Sequence, residues 1–162
     1  MLAVVFTVAV ALDQAVKILV DATLPLNGPG IPLLSDVLQL SYVRNQGAVF
    51  GMSFGPPVVL LGITLLVTAV LLYLYLSGEF DPGSAVGEIA IVLVLAGAVG
   101  NLIDRIRFGE VIDFINMGIG PYRWPTYNFA DICITVGVIV LIVSTLLYGG
   151  GEPERPSDLP GV

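Results

Sequence analysis

The stretch VVLLGITLLVTAVLLYLYL, Val58 to Leu76, runs 19 residues without a charge. An α-helix over it, rising about 1.5 Å per residue, matches the roughly 30 Å hydrocarbon core of a bilayer. Three other segments approach this pattern. Ile132 to Tyr148 is as clean over 17 residues, Glu88 to Arg105 meets polar groups only at Asn101 and Asp104, and Met1 to Ala22 carries Asp13 and Lys17 within it. The whole chain is 56% hydrophobic and 12% charged, with a mean hydropathy of +0.96. Soluble domains average about 25% charged residues. The expected fold class is therefore an all-α membrane protein with four transmembrane helices, at about 1–22, 58–76, 88–105 and 131–148.

Residues 1–149 read as one domain, because no Gly/Ser linker or composition break divides them, and 150–162 read as a disordered polar tail. The first apolar stretch lacks a basic leading region and holds Asp13 and Lys17 where a secretion signal would end in small residues, so it reads as a mature helix. Between the first two spans a Pro/Gly-rich loop precedes Leu38 to Tyr42, which alternates as a half-exposed strand does. Asp113 sits in a short apolar run, Val111 to Ile115, in the third loop, ahead of Tyr122, Trp124 and Tyr127, aromatics suited to the headgroup level.

Four crossings place the first and third loops on one face and both termini on the other. Asn45, Asp104, Arg105, Asp113 and Asp131 gather on the first face, with Asp13 and Lys17 in the half of the first helix leading to it. The charge bias points the other way. Arg44, Arg105, Arg107 and Arg123 lie on the motif-bearing side and only Arg155 marks the opposite one, so the tendency of Lys and Arg to stay cytoplasmic would by itself turn that face inward.

The chain has no histidine, one cysteine and a net charge of -7. These exclude an internal disulfide and disfavour nucleic acid as a partner, which needs clustered cations. Acid-base chemistry falls to carboxylates. Asp113 and Asp131 are each flanked by apolar residues, and if folding brings them together they share a proton, as an aspartic protease requires. Their separation of 18 residues fixes no distance. Asp131 has the competing reading of an N-cap to the fourth helix, and Asp113 that of a turn acid.

Asp13 and Lys17, four apart, share a helix face and read either as a structural ion pair or as substrate contacts. Asp104 beside Arg105 reads as a support rather than an acid-base group. Asn45 and Asn128 suit the orientation of a carboxylate or a substrate backbone, and equally the formation of turns. Gly47, Gly51 and Gly55 recur every four residues, as a flexible loop or a packing seam. Cys133 reads as a small buried hydrophobe.

In order along the chain, Asp13-Gln14 with Lys17, Asn45-Gln-Gly-Ala-Val-Phe-Gly51, Gly100-Asn-Leu-Ile-Asp-Arg105, Val111-Ile-Asp-Phe-Ile115 and Asn128-Phe-Ala-Asp131 resemble the lipoprotein signal peptidase family, signal peptidase II. Tyr127 stands where that family commonly has Phe. The resemblance implies a bacterial inner-membrane aspartic endopeptidase with both termini cytoplasmic, a small extracytoplasmic sheet and a site near the outer face. It implies catalysis by Asp113 and Asp131, with Asp13, Lys17, Asn45, Gly47, Asn101, Asp104, Arg105, Asn128 and Ala130 supporting the pair or holding substrate. The implied substrate is a prolipoprotein whose lipobox cysteine carries diacylglyceryl, cut immediately before that cysteine by a monomer among membrane lipids. No metal or cofactor is implied, and inhibition by globomycin-type peptides is. The rival classes are a small transporter, which would spread polar groups through the membrane depth, and an assembly subunit whose polar pairs only join helices.

Overall fold

The computed structural model describes residues 1–49, 52–53, 56–78 and 82–148. The expected tail at 150–162 and the glycines at positions 51 and 55 lie outside them. Four long helices, α1 (Leu2–Thr23), α2 (Pro57–Ser77), α3 (Ala85–Phe108) and α4 (Phe129–Tyr148), are each long and apolar enough to cross a membrane. The strands are β1 (Ile31–Leu34), β2 (Leu38–Asn45), β3 (Ala48–Val49), β4 (Met52–Ser53), β5 (Val111–Ile119) and β6 (Tyr122–Arg123).

The helix ends follow local chemistry. α3 begins three residues earlier than expected because the Ser84 hydroxyl caps it, accepting from the Gly87 amide at 3.1 Å. It runs three residues further because the stop is Gly109, in the left-handed region at φ 73°, with Arg105 and Arg107 in the last turn complementing the helix dipole. α4 opens with a reciprocal capping box. The Asp131 amide donates to Asn128 Oδ1 at 3.0 Å, and the Asn128 amide donates to Asp131 Oδ2 at 3.1 Å. The N-cap is thus Asn128, and Asp131 takes the third helical position rather than the cap.

α3 is the hub of the bundle, with α1, α2 and α4 all packed on it. Small residues allow this closeness: a Cβ added at Gly97 would meet Ile134 Cγ1 at 2.8 Å and the Ala130 carbonyl, and one at Gly137 would meet the Ala90 carbonyl at 2.7 Å. At the end of the bundle where α1 and α3 finish, an antiparallel sheet has the order β1-β2-β5-β6. Asp113, expected in a loop, lies in β5 opposite Val43 of β2. The sheet docks on the end of α1 through Val20, Tyr42, Ile112 and Phe114. A bulge in β2 between Leu40 and Val43 shifts the register, and beyond it Val43 and Asn45 share a face with Asp113 and Val111.

Candidate active site

Four elements, β2, β5, α3 and the start of α4, deliver the polar groups. Strand alternation turns Asn45 and Asp113 to the same face, the α4 capping box fixes Asn128 and Asp131, and α3 brings Asn101 and Asp104 in its last two turns. Asn45 Nδ2 donates to Asp113 Oδ2 at 2.9 Å, and Asn128 Nδ2 donates to Asp113 Oδ1 at 2.7 Å. Asp131 receives Asn101 Nδ2 on Oδ1 at 2.8 Å and the Asn128 amide on Oδ2 at 3.1 Å. The fully buried Asn128 therefore contacts both aspartates, and its Nδ2 also donates to Asn101 Oδ1 at 3.1 Å. Gly47, held at φ +88°, donates its amide to Asn45 Oδ1 at 2.8 Å, which orients the Asn45 amide with its nitrogen toward Asp113.

Burial pushes the Asp113 carboxyl up to about 7; the hydrogen bond from Asn45 opposes the shift and the negative charge of Asp131 adds to it. An acid with such a pKa holds its proton near neutrality while remaining able to donate it.

Behind the aspartates lies an ionic cluster. Lys17 Nζ lies 2.9 Å from both Asp13 Oδ2 and Asp104 Oδ2, and donates to Asn101 Oδ1 at 3.0 Å. Its three protons have three acceptors, which is the condition for burying an ammonium. Asp13 Oδ1 accepts from the Ala130 amide at 3.0 Å, and Asp104 Oδ2 accepts from the Ile112 amide at 3.1 Å. These carboxylates fasten α1 to the start of α4 and α3 to β5, one residue before each site aspartate. The Arg105 guanidinium, half-buried, lies in the electrostatic field of Asp131, Asp113 and Asp104 and reaches the Asn101 carbonyl at 3.5 Å.

All eleven residues expected at the site thus fall in one connected neighbourhood. Two residues outside that expectation join it. Gln14 Nε2 lies 3.1 Å from Asp13 Oδ2, 3.1 Å from the Gly100 carbonyl and 3.2 Å from Asp104 Oδ1. A Cβ at Gly100 would stand 2.6 Å from Asp13 Oδ2, so glycine there makes room for the ionic cluster. Both stand inside the quoted motifs, but periodicity gave neither a direction toward the site.

Residues 5–147 match the model of the family described as signal peptidase (SPase) II, Peptidase_A8. The chain belongs to this family of membrane peptidases. A lipoprotein signal peptidase of Syntrophus aciditrophicus is 39% identical over 140 residues, 83% of this chain and 85% of the relative. One of Halothermothrix orenii is 38% identical over 143 residues, 88% and 93% of the two chains. Two solved structures described as bacterial membrane enzymes share the fold. One has a TM-score of 0.78 at 30% identity, covering 97% of this chain and 94% of the other, and the second has 0.76 at 31%, covering 90% and 92%. The chain is a multi-pass bacterial membrane protein.

Proposed function

We propose that this signal peptidase II family member is an aspartic endopeptidase that removes the signal peptide from prolipoproteins, cutting immediately before a cysteine that carries diacylglyceryl. The observation that carries the reading is the Asn128 side chain bonded to Asp113 and capped against Asp131, which gathers a buried and a half-buried carboxyl group in one polar site. The relatives' name, lipoprotein signal peptidase, supports the substrate class.

In this reading Asp113 holds the shared proton, since burial favours its neutral form. Asp131 is the carboxylate, supplied with two N–H donors by Asn101 and Asn128. Asp131 takes a proton from water as the oxygen attacks the scissile carbonyl carbon, and Asp113 donates its proton to the carbonyl oxygen. The resulting gem-diol collapses as one hydroxyl proton returns to Asp113 and the proton on Asp131 passes to the cysteine nitrogen. The C–N bond breaks, giving a signal-peptide carboxylic acid and the free amine of the lipoprotein. Lys17 and Asp104 hold Asn101 and β5 in place rather than touching substrate.

The site opens on the outer face, with both termini cytoplasmic. Three of the four arginines on that side are engaged within the fold, which supports discounting the charge bias. Arg44 Nη2 pairs with Asp21 at 3.0 Å, Arg105 faces the site, and Arg123 Nε donates to Asn116 Oδ1 at 2.9 Å.

The test is cleavage of a prolipoprotein peptide with and without diacylglyceryl by the full-length protein in lipid nanodiscs, with product masses measured. The expected product begins at the lipidated cysteine, and the unmodified peptide is cut far more slowly. Absence of cleavage, or a cut elsewhere, contradicts the assignment.

A further inference from the structure

We propose that Leu60, in the first turns of α2, is a positioning residue of the site: its side chain pins the Gly47 backbone, and Gly47 in turn aims the Asn45 amide at Asp113. The effect on cleavage rests on the peptidase reading above, whereas the effect on Asp113 itself does not.

The first observation is a close approach. A Cβ added at Gly47 would stand 2.1 Å from Leu60 Cδ1, so a methyl group of α2 occupies the space that a side chain at position 47 would take. Gly47 also lies in the left-handed region, at φ +88°. Glycine is needed there twice over, for space and for backbone conformation. Leu60 thereby brings α2, most of whose surface faces outward, to the edge of the site.

The second observation is what Gly47 holds. Its amide donates to Asn45 Oδ1 at 2.8 Å, and Asn45 Nδ2 donates to Asp113 Oδ2 at 2.9 Å. Glycine has more backbone freedom than any other residue, so the direction of that amide is set by what packs on it. Leu60 does so from a stiff support. α2 starts at Pro56, whose φ the ring restricts, and the Pro56 carbonyl accepts from the Val59 amide at 2.9 Å. The Leu60 carbonyl itself accepts from Thr64 Oγ1 at 2.8 Å.

The consequence reaches the carboxyl group through one side chain. The groups that act on Asp113 are Asn45 from β2, Asn128 and Asp131 at the start of α4, Arg105 from α3 and Lys17 from α1. Burial and the Asp131 charge favour its neutral form, while the bonds from Asn45 and Asn128 and the Lys17 charge favour the carboxylate. Of these groups, Asn45 is the one that Gly47 orients. Loosening Leu60 therefore weakens the Asn45 bond and moves the titration of Asp113 to higher pH, and it lowers turnover by leaving the carboxyl group poorly aimed.

The test compares wild type with Leu60→Ala, Leu60→Met and Val59→Ala, each as full-length protein in lipid nanodiscs. Val59 shares the turn and is 44% exposed. Leu60→Ala is expected to lower kcat for the lipidated peptide about tenfold with little change in KM, to move the alkaline limb of kcat/KM to higher pH, and to melt close to wild type. Leu60→Met, which keeps an apolar side chain of similar volume, restores most of the rate, and Val59→Ala behaves as wild type. In an Asn45→Ala background Leu60→Ala causes no further loss, since it acts through Asn45. The Asp113 titration is also read without cleavage, from the infrared carboxyl band assigned by difference from Asp113→Asn, and is expected to rise in Leu60→Ala. If Leu60→Ala does not fold, Leu60→Val, the smaller truncation, carries the same comparison. Wild-type kcat and titration in the truncated variant overturn the proposal, and so does a loss of rate that follows the melting point while the titration stays in place. An equal further loss in the Asn45→Ala background overturns it as well. A wild type that does not cut the peptide, with an Asp113 titration that rises in Leu60→Ala, removes the peptidase reading and leaves the positioning role standing.

Discussion

α2 and α3 are both apolar helices long enough to span a bilayer, yet they do opposite work. No described side chain of α2 is buried, whereas more than half of the α3 span is enclosed by α1, α2 and α4. The difference lies in a few residues. α3 carries Gly97 and Gly100 at close contacts and Asn101 and Asp104 within the site, while a Cβ on Gly62 of α2 would meet nothing within 4 Å. Apolar length decides that a segment crosses the membrane. Small residues decide which crossing becomes the hub, and buried polar groups decide where the chemistry sits.

Substitutions that disturb the hub separate the two helices most sharply. Lys17→Met leaves Asp13 and Asp104 buried without their cation, and should lower stability by about 3–5 kcal/mol, read as thermal unfolding in detergent. Stability near wild type would show the ionic cluster to be dispensable. Gly100→Ala drives a methyl toward Asp13 Oδ2, now 2.6 Å from the ideal Cβ position, and should destabilise by about 1–3 kcal/mol; an unchanged melting point would mean that α1 and α3 can separate without loss.

The pH profile carries a smaller effect. Asp113 titrates at about 7 because burial penalises its charged form. The competent form is protonated, so kcat/KM should fall about tenfold per pH unit as the pH rises beyond that point. Stability has the same sign. The folded-state pKa lies above the ~3.9 of an exposed Asp, so the contribution of Asp113 is present at low pH and is lost as the pH climbs through 7. Activity that stays level far above neutrality would contradict this proton assignment. Smallest of all, Gly62→Ala on the lipid-facing helix should be neutral or stabilise by at most about 1 kcal/mol through helix propensity; a loss as large as that at Gly100 would break the contrast between the helices.

How much of this was readable in advance depended on the range of each interaction. The four spans came from runs of apolar residues, and their ends shifted by one to three positions where Ser84, Gly109 and Asn128 supplied caps. β2 showed in the alternation of Leu38 to Tyr42. β5 did not, because Asp113 interrupts its apolar run and a buried acid reads locally as a loop, although pairing with Val43 satisfies its backbone. The eleven site residues were reached through ordered motifs and family resemblance; spacing alone left Asp113 and Asp131 unconnected. Their link is Asn128: its bonds to Asp131 are a local cap, but its bond to Asp113 is a tertiary contact that no local pattern encodes. The roles of Gln14 and Gly100 were hidden for the same reason, since each depends on the face of α3 that meets α1.

The central claim is that Asp113 and Asp131 act as one catalytic unit. The most direct measurement is cleavage of the diacylglyceryl-modified prolipoprotein peptide by Asp113→Asn and Asp131→Asn beside wild type, at equal amounts of protein shown to be folded by thermal unfolding. The expected result is that both variants are folded and each loses activity by about 10³-fold or more, as interdependent catalytic groups do when one is removed. A folded variant of either kind that cleaves at close to the wild-type rate would contradict the account.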